Sequence, residues 1–353
     1  IELSRQIGLF GDAVVAIDGS KFKAVNNRDK NFTPHKLKAR MQQLEESIAR
    51  YLNDLDRADR APTSVPAVRV THLREKIATV TEQVRKLRRI KKQLQEAPDQ
   101  QVSLTDPDAR SMATSGRGTG IVGYNVQAVV DTEHHMIVAH EVTNIGHDRT
   151  QLTAMARLGR DALVQEQLTA LADRGYFKGE EILQCAQEGI NPLVPKPLTS
   201  NSKADGRFDK RDFVYDAKRN EYRCPAGQRA IWRMTTVENG LTLHRYWTSA
   251  CPQCPIKSRC TPSDYRRITR WEHEQVLDDM QHRLDRTPEA GRLRRQTVEH
   301  TFGTLKAWMG STHFLTKTLP RVRTEMSLQV LAYNLKRALN IFGTQLLVAF
   351  MRA

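Results

Sequence analysis

Ala13-Val14-Val15-Ala16-Ile17-Asp18-Gly19-Ser20-Lys21-Phe22 decides how the rest of the chain is read. A β-branched apolar run of this kind predicts a buried strand, and this one ends on a carboxylate and a glycine. Such a strand has no cheap place for a lone Asp, so Asp18 is either partnered or a ligand. Working outward, two more strands are expected at 121–130 and 136–142. The connection Asp131-Thr132-Glu133-His134-His135 makes them a β-hairpin. A helix is expected over 148–164, with Asp148 as its N-cap rather than in an acid/base pair with His147. A strand at 168–172 then ends on Asp173-Arg174-Gly175-Tyr176, and a helix over 179–188 and a strand at 192–195 continue the alternation. Three strands, helix, strand, helix, strand is an α/β order with a mixed sheet.

Two stretches break this order. Over 35–97, Met41, Leu44, Ile48 and Leu55 recur at helical spacing, and Leu73, Ile77, Val80, Val84, Leu87 and Leu94 follow a 4-3 repeat. Arg60-Ala61-Pro62-Thr63-Ser64-Val65-Pro66 between them predicts a turn, and the whole an antiparallel helical hairpin. It holds fifteen Lys and Arg against eight Asp and Glu, six of the bases falling between Arg85 and Lys92. That density suits either a solvated helix face or an arm that meets phosphates. Ser115-Gly116-Arg117-Gly118-Thr119-Gly120 is a flexible lead-in to the strands that follow. Residues 198–267 lose the alternation and read as a small β-rich insertion. The core is therefore expected in three pieces, 1–34, 98–197 and a helical 268–353, with helices clearest over 290–310 and 321–349.

The 353 residues carry 55 Lys and Arg against 40 Asp and Glu, a net charge of +15. An excess of this size gathers polyanions, of which nucleic acid is the usual one. No apolar run approaches the roughly 18 residues of a membrane span, and no signal peptide is visible. The chain opens on Ile1, which suggests a start further upstream. Four of its five Cys lie in the β-rich insertion, a pattern unlike a secreted disulfide framework. Cys224, Cys251, Cys254 and Cys260 are separated by 26, two and five residues, which suits either structural Zn²⁺ or four reduced thiols. Cys185 lies on an apolar helix face.

Asp18 and Asp173 both end strands, and strands of one sheet can bring such ends together. Paired carboxylates repel unless a divalent cation neutralises them. A third acid stands on the stretch from Arg292 to Lys306. At about 100° per residue, Arg295, Glu299 and Lys306 form one polar line beside an apolar stripe of Val298, Phe302, Leu305 and Met309. The alternative is a surface helix with an incidental Arg295–Glu299 pair. Trp271 suits either core packing or stacking on an unpaired base.

Ala16-Ile17-Asp18-Gly19-Ser20-Lys21-Phe22-Lys23-Ala24-Val25-Asn26-Asn27, Ala172-Asp173-Arg174-Gly175-Tyr176, and Thr297-Val298-Glu299-His300 through Lys306-Ala307-Trp308-Met309-Gly310 resemble the DDE transposases of bacterial insertion sequences. The match looks like the branch with a Tyr-Arg-Glu-Lys signature. The resemblance implies a fold similar to ribonuclease H and retroviral integrase: a mixed sheet flanked by helices, interrupted here by the helical hairpin and the Cys-containing insertion. It implies that Asp18, Asp173 and Glu299 hold two Mg²⁺ (or Mn²⁺) ions. Arg295 and Lys306 take the positions of the signature cations that bind DNA phosphate. Arg292 stands where the signature has Tyr, and an Arg there can still hold a phosphate. The implied partners are double-stranded DNA, at element ends and target, and a second copy of the chain. The implied location is the bacterial cytoplasm, at the nucleoid. The rival readings are a catalytically inactive DNA-binding relative and a divalent-metal nuclease without joining activity.

Overall fold

The computed structural model describes residues 13–60, 67–113, 120–197 and 202–352, with Arg5 and Phe10 besides. The turn expected at 60–66 and the lead-in at 115–120 lie outside them, apart from Arg60 and Gly120.

Strand β1 (Val14–Lys23) is the axis of a six-stranded sheet with β2 (Arg110–Ala113), β3 (Gly120–Asp131), β4 (Ile137–Thr143), β5 (Leu168–Leu171) and β6 (Ile190–Leu193). Their order is β2-β3-β1-β5-β6, with β4 also on β3. On one side β1 pairs antiparallel with β3, from Val15 opposite Asp131 to Lys23 opposite Gly123. On the other it pairs parallel with β5, which pairs parallel with β6. The sheet is mixed because β1 joins an antiparallel half to a parallel half. Helices flank it on both sides, the ribonuclease H-like arrangement.

Alternate residues of β1 feed two separate cores, as the period of two requires. Val15 and Ile17 are fully buried against α3 (Leu152–Leu163), α4 (Gly179–Gln187) and α5 (Glu274–Arg286). Ala16, Phe22 and Ala24 pack on the opposite face with Val298 and Phe302 of α6 (Ala290–Gly303) and Val322, Met326 and Tyr333 of α7 (Leu319–Arg352). Each large side chain so buried contributes about 1.5–3 kcal/mol. Helix α3 starts later than its N-cap signal implied: Gln151, not Asp148, flanks its first turn, and Asp148 is engaged elsewhere.

Helices α1 (Pro34–Arg60) and α2 (Ala67–Glu96) pack through Leu37, Leu44, Val84, Leu87, Ile90 and Leu94. A second sheet is antiparallel throughout, in the order β11-β10-β9-β8-β7. Its strands are β7 (Val214–Asp216), β8 (Glu221–Arg223), β9 (Arg229–Glu238), β10 (Leu241–Trp247) and β11 (Ile268–Trp271). The sequence reading starts the helical part at Ile268, whereas Ile268–Trp271 is the edge strand paired with β10. The β-branched and aromatic residues of ITRW favour a strand, and helix α5 begins only at Glu274. No helix among the described residues is long and apolar enough to cross a membrane.

Candidate active site

Asp18 lies midway along β1, on the face that packs against α6. The parallel register pairs Val14 with Thr169, Val15 with Ala170 and Ala16 with Leu171. Past the last paired residues, Ala16 and Leu171, the two chains run on to Asp18 and to Asp173, close enough for the charge of Asp173 to act on Asp18. Asp173 stands two residues beyond β5 and caps a short 3₁₀ turn, its Oδ1 accepting from Gly175 N at 2.7 Å. Asp18 accepts from Gly19 N at 2.9 Å. Burial raises the Asp18 carboxyl from 3.8 to about 6; Arg294 and the Gly19 amide oppose the rise, while Asp173 and Asp148 add to it. Two adjacent carboxylates, one held reluctant to ionise, are the donor set that a hard divalent cation neutralises, and these residues fit one.

The cations around Asp18 come from α6 and the turn after it. Arg294 Nη1 lies 3.2 Å from Asp18 Oδ2. Lys306 Nζ donates to Ser20 Oγ at 2.6 Å and to Lys21 O at 3.0 Å, and sits 4.5 Å from the centre of the Phe22 ring. Burial pulls the Lys306 ammonium below its usual range, and the charge of Asp18 works against that. Straight-helix arithmetic groups Arg295, Glu299 and Lys306, but the structure separates them. Residues Thr304–Trp308 form a π-helical turn. Its wider turn advances the chain by less than 100° per residue, which carries Lys306 inward to Ser20. Arg292, Arg295 and Glu299 stay exposed. The cation that reaches Asp18 is thus Arg294, on the buried side of α6, rather than its neighbour Arg295.

Glu299 lies apart from the two Asp residues. It lines a groove of about 540 Å³ between α6 and α7, with His300, Trp308, Lys336 and Arg337 among its walls. Val298 occupies the inward position, and Glu299 is about 100° further round the helix. Among the described residues no group of three or more His, Cys, Asp or Glu side chains is placed to hold a metal ion.

Sequence reasoning missed a polar network on the other face of β1. Asp148 Oδ1 accepts from Asn125 Nδ2 and Gln127 Nε2, both at 2.7 Å, and from Lys21 Nζ at 3.2 Å. Tyr176 donates to Gln127 Oε1, which ties the turn after Asp173 to the β1–β3 ladder beside Asp18. Gly19 leaves the room for it: a Cβ there would stand 2.2 Å from Gln127 Nε2 and 2.5 Å from Asp148 Oδ1. The alternation of Gly19, Lys21, Asn125 and Gln127 on facing strands was the available signal, since one face carries all four.

Two pairs of alternatives left open by the sequence concern Trp271 and the four clustered Cys, and Trp271 takes the packing one. Trp271 is buried, its ring against Gly179 and edge-on to His273. It fills the seam between β11 and α4 and presents no face for a base. Cys224, Cys251, Cys254 and Cys260 all line one small pocket, together with apolar walls from Phe213, Ala230 and others. They are free thiols, and among the described residues no group of three or more is placed to hold a metal ion, so Zn²⁺ has no support and the reduced-thiol alternative stands.

The family model of the transposase DDE domain matches residues 86–335, and the chain belongs to that family. The comparison with curated proteins gives no match. Among solved structures, the chain is similar to a piggyBac transposase seen by cryo-EM in a synaptic complex with hairpin DNA. The two are 9% identical with a TM-score of 0.28, and the likeness covers 65% of this chain and 42% of that one. This chain therefore spans less than half the length of that transposase.

Proposed function

We propose that this DDE transposase is that of a bacterial insertion sequence of the Tyr-Arg-Glu-Lys branch, cutting double-stranded DNA at element ends and joining the freed ends to target DNA. The observation that supports the reading is Asp18 on β1 with Asp173 just past the end of the adjacent parallel strand and Arg294 and Lys306 beside it. Asp18 and Asp173 would hold Mg²⁺ or Mn²⁺, with Glu299 of α6 as the third ligand of a two-ion site, a role that rests on the resemblance and requires α6 to move. The bound ions supply Lewis-acid stabilisation and a reactive oxygen at neutral pH. The chain's own residues orient the strand. Lys306, fixed on Ser20 and the Lys21 carbonyl, is a preorganised positive charge at the phosphate, and exposed Arg292 and Arg295 grip flanking phosphates. Water and then a freed 3′-hydroxyl use the same pocket, so cleavage and joining are one chemistry with two nucleophiles.

The helical hairpin (35–97) and the β-rich segment (198–267) are read as insertions into the catalytic core, whose pieces are 1–34, 98–197 and 268–353. The exposed bases Arg88, Lys91 and Lys92 of α2 support a hairpin that meets DNA phosphates. Two ends must be held together, so a homodimer on DNA is the working unit, in the bacterial cytoplasm at the nucleoid. Incubation with end-containing duplex and Mg²⁺ tests the reading. Cut and joined products are expected; cut product alone identifies a nuclease, and binding without product a DNA-binding relative. Asp173→Asn should abolish cutting and leave salt-sensitive DNA binding nearly intact, and a variant that still cuts refutes the assignment.

A further inference from the structure

Two cations face Asp18, and they are held in different ways. Lys306 is anchored by two hydrogen bonds and by the Phe22 ring. Arg294 has a side chain only 14% exposed, and its Nη1 stands 3.2 Å from Asp18 Oδ2. Yet that nitrogen is buried with no hydrogen-bond partner, so charge holds the pair and no aligned N–H···O bond does. One cation is fixed in place, and the other is tied to Asp18 by an attraction that any stronger positive charge can replace.

The structure assigns Arg294 the role of a resident counter-ion, which neutralises Asp18 until a divalent cation takes that carboxylate and displaces the guanidinium. This rests on the reading of Asp18 and Asp173 as cation ligands. The physical reason is direct competition. A guanidinium and a divalent ion cannot both lie within about 4 Å of one partly buried oxygen without strong repulsion, and the double charge wins. Binding therefore carries the cost of breaking the Arg294–Asp18 pair. The displaced guanidinium, planar and permanently charged, is left beside the site where a phosphate oxygen would lie. Arg295 cannot substitute, because it points to solvent.

The test is calorimetric titration of the full chain with Mn²⁺ alone, without DNA, at about pH 8, where carboxylates are ionised. Wild type, Arg294→Gln, Arg294→Lys and Asp18→Asn are compared. Removing the competing charge in Arg294→Gln should tighten Mn²⁺ binding about tenfold. Arg294→Lys keeps the charge on a shorter reach and should tighten it about threefold. Should Arg294→Gln fail to fold, Arg294→Lys decides. Binding unchanged or weaker in the Arg294 variants, with Asp18→Asn losing it, overturns the counter-ion role and leaves the metal site standing. Binding unchanged in Asp18→Asn overturns the metal-site reading itself.

Discussion

Asp18→Asn removes a titration that the fold makes unfavourable. Burial is the main reason that the Asp18 carboxyl rises from 3.8 to about 6. An acid raised on folding binds its proton more tightly in the folded chain than in the unfolded one. The folded state is then favoured at low pH, and that advantage disappears as the pH climbs from about 4 through about 6. A gap of about two pH units, at 1.36 kcal/mol each, is on the order of 3 kcal/mol. Asn mimics the protonated acid and does not titrate. Urea unfolding of wild type and variant in metal-free buffer, from about pH 4 to about pH 8, isolates the difference, because every other group is common to both. The variant should gain on wild type across that window and level off above about pH 7. Mg²⁺ added at neutral pH should then stabilise wild type more than the variant, because the cation binds the folded carboxylates. Parallel pH profiles for the two proteins would refute the claim that Asp18 is a burdened acid awaiting a cation.

The network behind β1 makes two further predictions. Asp148→Ala leaves the Lys21 ammonium and the amides of Asn125 and Gln127 without their shared acceptor. It should cost about 3–5 kcal/mol in urea unfolding, and a double-mutant cycle with Lys21→Met should show coupling above about 1 kcal/mol. Gly19→Ala places a methyl 2.2 Å from Gln127 Nε2, which costs about 1–3 kcal/mol and should slow DNA nicking by shifting the turn that carries Asp173. On the other face, Phe302→Ala should cost about 3–5 kcal/mol by the same assay, because the ring is nearly buried in the core beneath α6 and α7.

What the sequence made legible is what period and polarity control. The run from Val14 to Lys23 alternates between two cores, and its Asp lies near the Asp that follows the parallel strand Leu168–Leu171. The seam of α1 and α2 was equally open to reading, since Leu44, Val84, Leu87 and Leu94 follow the helical repeat. The limits lie where geometry departs from a uniform period. The π turn at Thr304–Trp308 has no local propensity signature, yet it decides that Lys306 turns inward while Glu299 does not. Asp148 carries a good capping side chain, but three donors from β1 and β3 outcompete the helix end for it, a tertiary choice that no window of sequence contains. Packing was one of the two readings open for Trp271, but its partner Gly179 was not legible, because only the fold brings the two together.

Anomalous scattering from crystals grown with Mn²⁺ tests the central claim most directly. The account predicts a peak bridging Asp18 and Asp173, with the Arg294 guanidinium moved off Asp18. A peak bound elsewhere, with Arg294 still paired to Asp18, would contradict it.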